Sequence, residues 1–122
     1  MHIKHKQIRL IVFTCLVLLI LGLFIGGSMP GSGSLFPPPW DKVVHLIFYA
    51  TITVLVAIFF PSLTLMFIFF IPFAVGCADE IHQIYVPGRH AGFDDLAADA
   101  IGIALTLSVI PWLRKLVFTN KN

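Results

Sequence analysis

The chain has 122 residues, 58% of them hydrophobic and only 11% charged, with 12 Phe and a formal net charge of +2. A soluble domain carries about 25% charged residues, so this balance excludes an ordinary soluble fold and points to an integral membrane protein. The length suits one compact domain over 1–122, and neither a cofactor nor a nucleic-acid partner is expected.

The predicted fold is an all-α, polytopic four-transmembrane-helix bundle. Each span needs roughly 20 apolar residues to cross a ~30 Å hydrocarbon core, and only helices satisfy the backbone amides there. The first is predicted over about 10–27, without a charge. Its basic start resembles a signal peptide, but about eighteen apolar residues with no A-x-A site favour a retained anchor. Residues 28–39, SMPGSGSLFPPP, form a Gly/Ser-rich linker whose three prolines favour extended polyproline II. The second span covers about 43–60 and ends at Pro61-Ser62, because proline cannot continue a helix and disfavours helical geometry before it. The third, about 63–85, contains Pro72, where a kink is expected. The fourth covers about 96–113. Cys15 and Cys77 lie at different depths in the first and third spans, so no disulfide between them is expected.

Lys4, Lys6 and Arg9 precede the first span and Arg114, Lys115 and Lys121 flank the last, whereas the two long connections hold only Lys42 and Arg89. By the positive-inside rule both termini are expected in the cytoplasm, with segments 28–42 and 79–95 outside. All six acidic residues, Asp41, Asp79, Glu80, Asp94, Asp95 and Asp99, fall in or beside those two segments. Ionisable groups at membrane depth are costly unless paired or wetted, which makes this cluster the candidate site.

Helical spacing says which groups can meet. Asp41, His45 and Tyr49 repeat every four residues and share a face of the second helix; Asp79 and Glu80 each share one with Gln83 on the third; Asp95, Asp99 and Gly102 share one on the fourth. Arg89 follows Pro87-Gly88, a turn signal, and its planar guanidinium suits a carboxylate or phosphate held by two parallel bonds. Simpler roles compete. Asp41, Asp94 or Asp95 can cap a helix, Arg89 can brace its loop against Glu80 or Asp99, His82 and His90 can be solvated, and Gly102 can serve close helix packing. His45, His82, Glu80 and Asp99 are competent metal ligands, but there is no H-E-x-x-H or His pair at ligand spacing, and no metal is expected. Ser28, Ser32 and Ser34 sit in the linker with no nucleophile-elbow motif.

The run Asp41-Lys42-Val43-Val44-His45, then Asp79-Glu80-Ile81-His82-Gln83, Val86-Pro87-Gly88-Arg89, and Asp95 and Asp99 before Gly102, resembles the VanZ-like family. The match covers about 41–105 and follows that family's D-K-x-x-H, E-x-x-Q, P-G-R and D-x-x-x-[N/D]-x-x-G elements in order. Many members carry Asn where this chain has Asp99, which ranks Asp99 below Glu80, Gln83, Arg89 and Asp95. The resemblance implies a small multi-pass protein of a bacterial inner or plasma membrane and, through the family's namesake, a link to low-level resistance to teicoplanin-type lipoglycopeptides. The acyltransferase label carried by some members finds no support in these residues.

The leading expectation is a cell-envelope protein that binds an amphipathic or lipid-linked envelope molecule through Asp41, Lys42, His45, Tyr49, Glu80, Gln83, Arg89, Asp95 and Asp99. Arg89 and Lys42 would meet a phosphate or carboxylate while the bundle receives the tail. A membrane-embedded enzyme using Glu80 or Asp95 with His45 in acid-base chemistry on a lipid-linked or cell-wall precursor is the first alternative. An accessory subunit whose polar ladder only locks the helices is the second. Glycine-rich helix faces leave self-association to a homo-oligomer open.

Overall fold

The computed structural model describes residues 5–119, and all regular structure among them is helical. Helix α1 (His5–Leu21) runs on through a π-helical turn, Gly22–Gly26, and is followed by α2 (Trp40–Phe59), α3 (Leu65–Ile84), α4 (Phe93–Leu107) and α5 (Ile110–Phe118). The stretches His5–Gly26, Trp40–Phe59 and Leu65–Ile84 are long and apolar enough to cross a membrane, with mean hydropathies of 2.9, 2.1 and 1.6. α4 and α5 make a fourth span when taken as one helix bent by 53°. Large apolar side chains such as Leu18, Phe67, Phe70, Leu105 and Trp112 are exposed around the bundle, as expected of surfaces that face lipid tails rather than water.

Two expectations need correction. The fourth span was expected to be continuous over 96–113, but it begins at Phe93 and breaks at Ser108-Val109. The cause is Pro111 in the first turn of α5: it has no N–H to donate to the Leu107 carbonyl four residues back, and its ring would collide with that carbonyl. The three prolines at 37–39 also do not form an extended rod. Trp40 N–H donates to the Pro37 carbonyl at 2.9 Å, closing a turn directly before α2. Pro72, by contrast, sits inside α3 without ending it. Cys15 and Cys77 are both free.

The two chain ends meet at one end of the bundle. His5 stacks on Phe118 with ring centroids 5.8 Å apart, and the Arg9 guanidinium lies 5.4 Å from the Phe59 ring centroid. Arg114 Nη2 donates to the carbonyls of Phe60 and Leu63 at 3.0 and 2.9 Å, tying α5 to the turn between α2 and α3. Apolar packing is strongest in this half, where Val12 and Leu16 meet Ile52 and Val56, and Ala57 meets Ile68 and Ile110. Lys4 and Lys121 lie outside the described residues.

The most extensive helix pairing is α2 with α4. It is a close one, because Gly102 faces the backbone carbonyl of Leu46 so tightly that a Cβ there would overlap its oxygen. Both helices start at the polar end, and Lys42, His45 and Leu46 on α2 meet Asp95, Asp99 and Gly102 on α4 in that order. Gly102→Ala is therefore expected to lower stability by about 1–3 kcal/mol, the usual cost of overpacking. Ala is intrinsically the better helix former by up to ~1 kcal/mol. Unfolding in detergent with an unchanged or raised midpoint would contradict this packing.

Candidate functional site

At the end opposite the termini, the first turns of α2 and α4 carry Asp41, Asp94 and Asp95, a favourable position for negative charge at helix amino termini. The N-cap positions are Pro39 and Gly92, and neither start has a side-chain cap. The three carboxylates instead converge on Lys42, whose Nζ lies 2.6 Å from Asp41, 2.5 Å from Asp95 and 3.1 Å from Asp94. One turn deeper, His45 Nδ1 donates to Asp99 Oδ1 at 2.8 Å. Asp99 is fully buried, and its other oxygen lies against Gly76 of α3, 2.8 Å from where a Cβ would stand. Small residues at 76 and 102 thus let three helices close around one buried carboxylate.

α3 adds the expected Asp79-Gln83 pair, with Gln83 Nε2 donating to Asp79 Oδ2 at 3.0 Å. Beside it, Glu80 accepts the backbone N–H of Gly92 at 2.8 Å, which anchors the start of α4 to α3. His82, read from sequence as interfacial or solvated, packs edge-on against Phe24, and its Nε2 lies 2.8 Å from Ser28 Oγ. It therefore joins α3 to the exit of α1. His90 is exposed.

Two Pro-Gly turns shape the mouth. Pro30-Gly31 and Pro87-Gly88 are each closed by a backbone bond, Ser32 N–H to Met29 O and Arg89 N–H to Val86 O, both 3.1 Å. Gly31 and Gly88 have φ of +78° and +79°, the left-handed value that the third residue of a type II turn requires. The turns touch, since a Cβ on Gly33 would overlap the Gly88 carbonyl oxygen and stand 3.1 Å from Arg89 Cδ. Arg89 is thereby laid across the linker, with Nη1 3.5 Å from Ser32 Oγ. Among the described residues, no carboxylate lies within 4 Å of its guanidinium, so the bracing pair with Glu80 or Asp99 considered above is not formed.

Between these parts lies an open cavity of about 630 Å³. Its polar side is lined by Asp41, Lys42, His45, Tyr49, Gln83, Arg89 and Asp95, seven of the nine residues singled out from sequence. Glu80 and Asp99 are not in the lining and stand behind it as partners of Gly92 and His45. Asp79, left out of that set, does line the cavity and is only 1% exposed; its four-residue spacing from Gln83 was the signal. The other side is apolar, formed by Leu18, Leu19 and Leu23 of α1 and its π turn with Val44 and Phe48 of α2. No polar motif marks α1, so sequence spacing had nothing with which to place it there. Ligand atoms of His45, Asp79 and Glu80 also lie within 4.8 Å of one another, a donor set able to hold a metal ion.

The Lys42 cluster generates a graded expectation. The Asp95 side chain is 10% exposed and Asp94 68%. Asp95→Ala should cost about 1.5–3 kcal/mol, the range for a hydrogen bond to a charged group. Asp94→Ala should leave the unfolding midpoint almost unmoved, because water screens it. Equal effects of the two substitutions would contradict the buried bridge between α2 and α4.

Comparison with known proteins agrees with this architecture. No curated protein and no solved structure matches the chain. The family model described as VanZ/LLP1 matches residues 2–114, nearly the whole length and well beyond the polar motifs. With the family model matched over residues 2–114 and three to four helices able to span a membrane, the chain belongs to the VanZ/LLP1 family.

Proposed function

We propose that this protein binds an amphipathic, anionic molecule of the bacterial cell envelope, a lipid-linked one above all, with its head group at Arg89 and its tail along α1. One observation carries the reading. Arg89 lines a cavity with an apolar opposite wall and, among the described residues, has no carboxylate within 4 Å, whereas Lys42 in the same cavity is held by three. An unpaired guanidinium at a lipid-accessible site is costly unless an anion or water meets it, and its fork geometry suits a phosphate or carboxylate. Ser32, Gln83 and His45 would supply further hydrogen bonds.

The reading places the protein in a bacterial plasma or inner membrane with both termini in the cytoplasm and the cavity open to the outer leaflet. Lys6, Arg9, Arg114 and Lys115 cluster with the chain ends, which is the arrangement the positive-inside rule assigns to the cytoplasmic side. A Cys placed at His90 should be labelled from outside in intact cells. Labelling only after permeabilisation would reverse the orientation. Reduced susceptibility to teicoplanin-type lipoglycopeptides would follow if the bound molecule belongs to the layer those compounds attack.

The binding test compares a long-chain polyprenyl phosphate with the uncharged polyprenol of equal length, delivered to the purified protein and read by native mass spectrometry. The phosphate should bind more tightly by about tenfold or more, equivalent to ~1.4 kcal/mol or greater. Arg89→Ala should erase that preference while the protein stays folded, and Arg89→Lys should restore only part of it, since charge is kept and the fork is lost. Equal binding of the two lipids, or full rescue by Lys, would contradict two-pronged anion recognition.

A further inference from the structure

We propose that a binding site for a divalent first-row transition ion lies at the inner wall of the cavity, held by His45 of α2 and Asp79 of α3, which line it, and by Glu80 of α3, which stands behind them. The inference rests on the convergence of α2, α3 and α4 and is independent of the assignment of Arg89.

Each of the three residues offers a ligand atom within 4.8 Å of the other two. Metal–ligand bonds of about 2.1 Å put ligand atoms roughly 3.4 Å apart in a tetrahedral site, so the widest pair has to close by at most about 1.4 Å. The flexible Glu80 side chain can supply most of that movement. Its Oε2 is held by Gly92 N–H, but Oε1 is buried and has no hydrogen-bond partner. His45 is already anchored on one side. Its Nδ1 is committed to Asp99 Oδ1 at 2.8 Å, leaving Nε2 as the ring nitrogen for an ion, and a carboxylate behind a ligating imidazole is the usual support of such a site. Asp99, fully buried and absent from the cavity lining, then has a role that a head-group ligand would not give it.

A second observation comes from Tyr49. It is fully buried, lines the cavity with His45 and Asp79, and stacks beside His45 at 6.2 Å between ring centroids, yet its hydroxyl has no hydrogen-bond partner. Buried hydroxyls are normally satisfied. A metal-bound water at the cavity's inner wall would supply the missing partner. Charge points the same way, because among the described residues neither Asp79 nor Glu80 has a cation within 4 Å, and buried carboxylates are otherwise paired or bound to metals. One imidazole with two carboxylates suits Zn²⁺ or Mn²⁺ better than Ca²⁺ or Mg²⁺, which seek oxygen alone.

The test uses the full chain in nanodiscs without added lipid ligand, stripped with a chelator and titrated with Zn²⁺ in the presence of excess Mg²⁺. One equivalent should bind, and X-ray absorption should report a single imidazole with oxygen ligands. Glu80→Gln and His45→Gln should each weaken binding at least about tenfold, and Asp99→Asn should weaken it about 10- to 100-fold by releasing the imidazole. Absence of saturable Zn²⁺ binding by the folded wild type would overturn the site. So would unchanged affinity in Glu80→Gln, or two or more imidazoles around the ion, which would place it at the surface histidines. If a variant fails to fold, the wild-type coordination spectrum decides alone. The anion preference at Arg89 is read separately, so the two proposals can fail independently.

Discussion

The architecture depends on a buried polar seam between α2 and α4. In an apolar bundle a carboxylate without a partner is heavily penalised, so Asp95 and Asp99 fix where α4 lies by having to reach Lys42 and His45. The seam closes because Gly102 lets the Leu46 carbonyl come into contact one turn deeper. With α2 and α4 held in that register, α3 is placed by the Asp99 oxygen against Gly76 and by Glu80 on the amide of Gly92. The upper half of α1 carries no charged side chain. The helix packs on α2 through Val12 and Leu16 and is linked to α3 by Ser28 and His82, which leaves its upper half as the apolar wall of an open cavity.

The seam also divides the cavity's positive charge. Lys42 is consumed in holding helices together, whereas Arg89 sits on a loop fixed by two touching Pro-Gly turns and makes its polar contact with Ser32. A rigid loop carrying a guanidinium beside an apolar wall loses little side-chain freedom when an anion arrives, which favours recognition over mere attraction. Below it the chemistry changes to imidazole and carboxylate on α2 and α3. The cavity is thus graded, from a forked cation on the loop to an imidazole and a carboxylate, His45 and Asp79, on the helices.

Much of this was legible in the sequence because the informative residues are rare ones. Against a background of apolar positions, the four-residue steps Asp41-His45-Tyr49 and Asp95-Asp99 gave helix faces directly, and the Lys/Arg distribution grouped the chain ends. What escaped was set by contacts between distant segments. Nothing in the spacing of Glu80 indicates that it would cap the α4 start through Gly92, and His82 finds Ser28 only because the exit of α1 folds over α3. The bend at Pro111 was a local signal that hydropathy masks, since α4 and α5 read as one apolar run. The metal-type ligand set had no motif, because its members come from two helices and two of them are adjacent in sequence.

The account is tested most directly by an experimental structure of the protein in a bilayer containing its native lipids. It predicts an elongated density along Leu18, Leu19 and Phe48 that ends in a head group bonded to both outer nitrogens of Arg89, with Lys42 still bridging Asp41 and Asp95. A guanidinium turned inward onto Glu80 or Asp95, with the cavity closed by its own side chains, would contradict it.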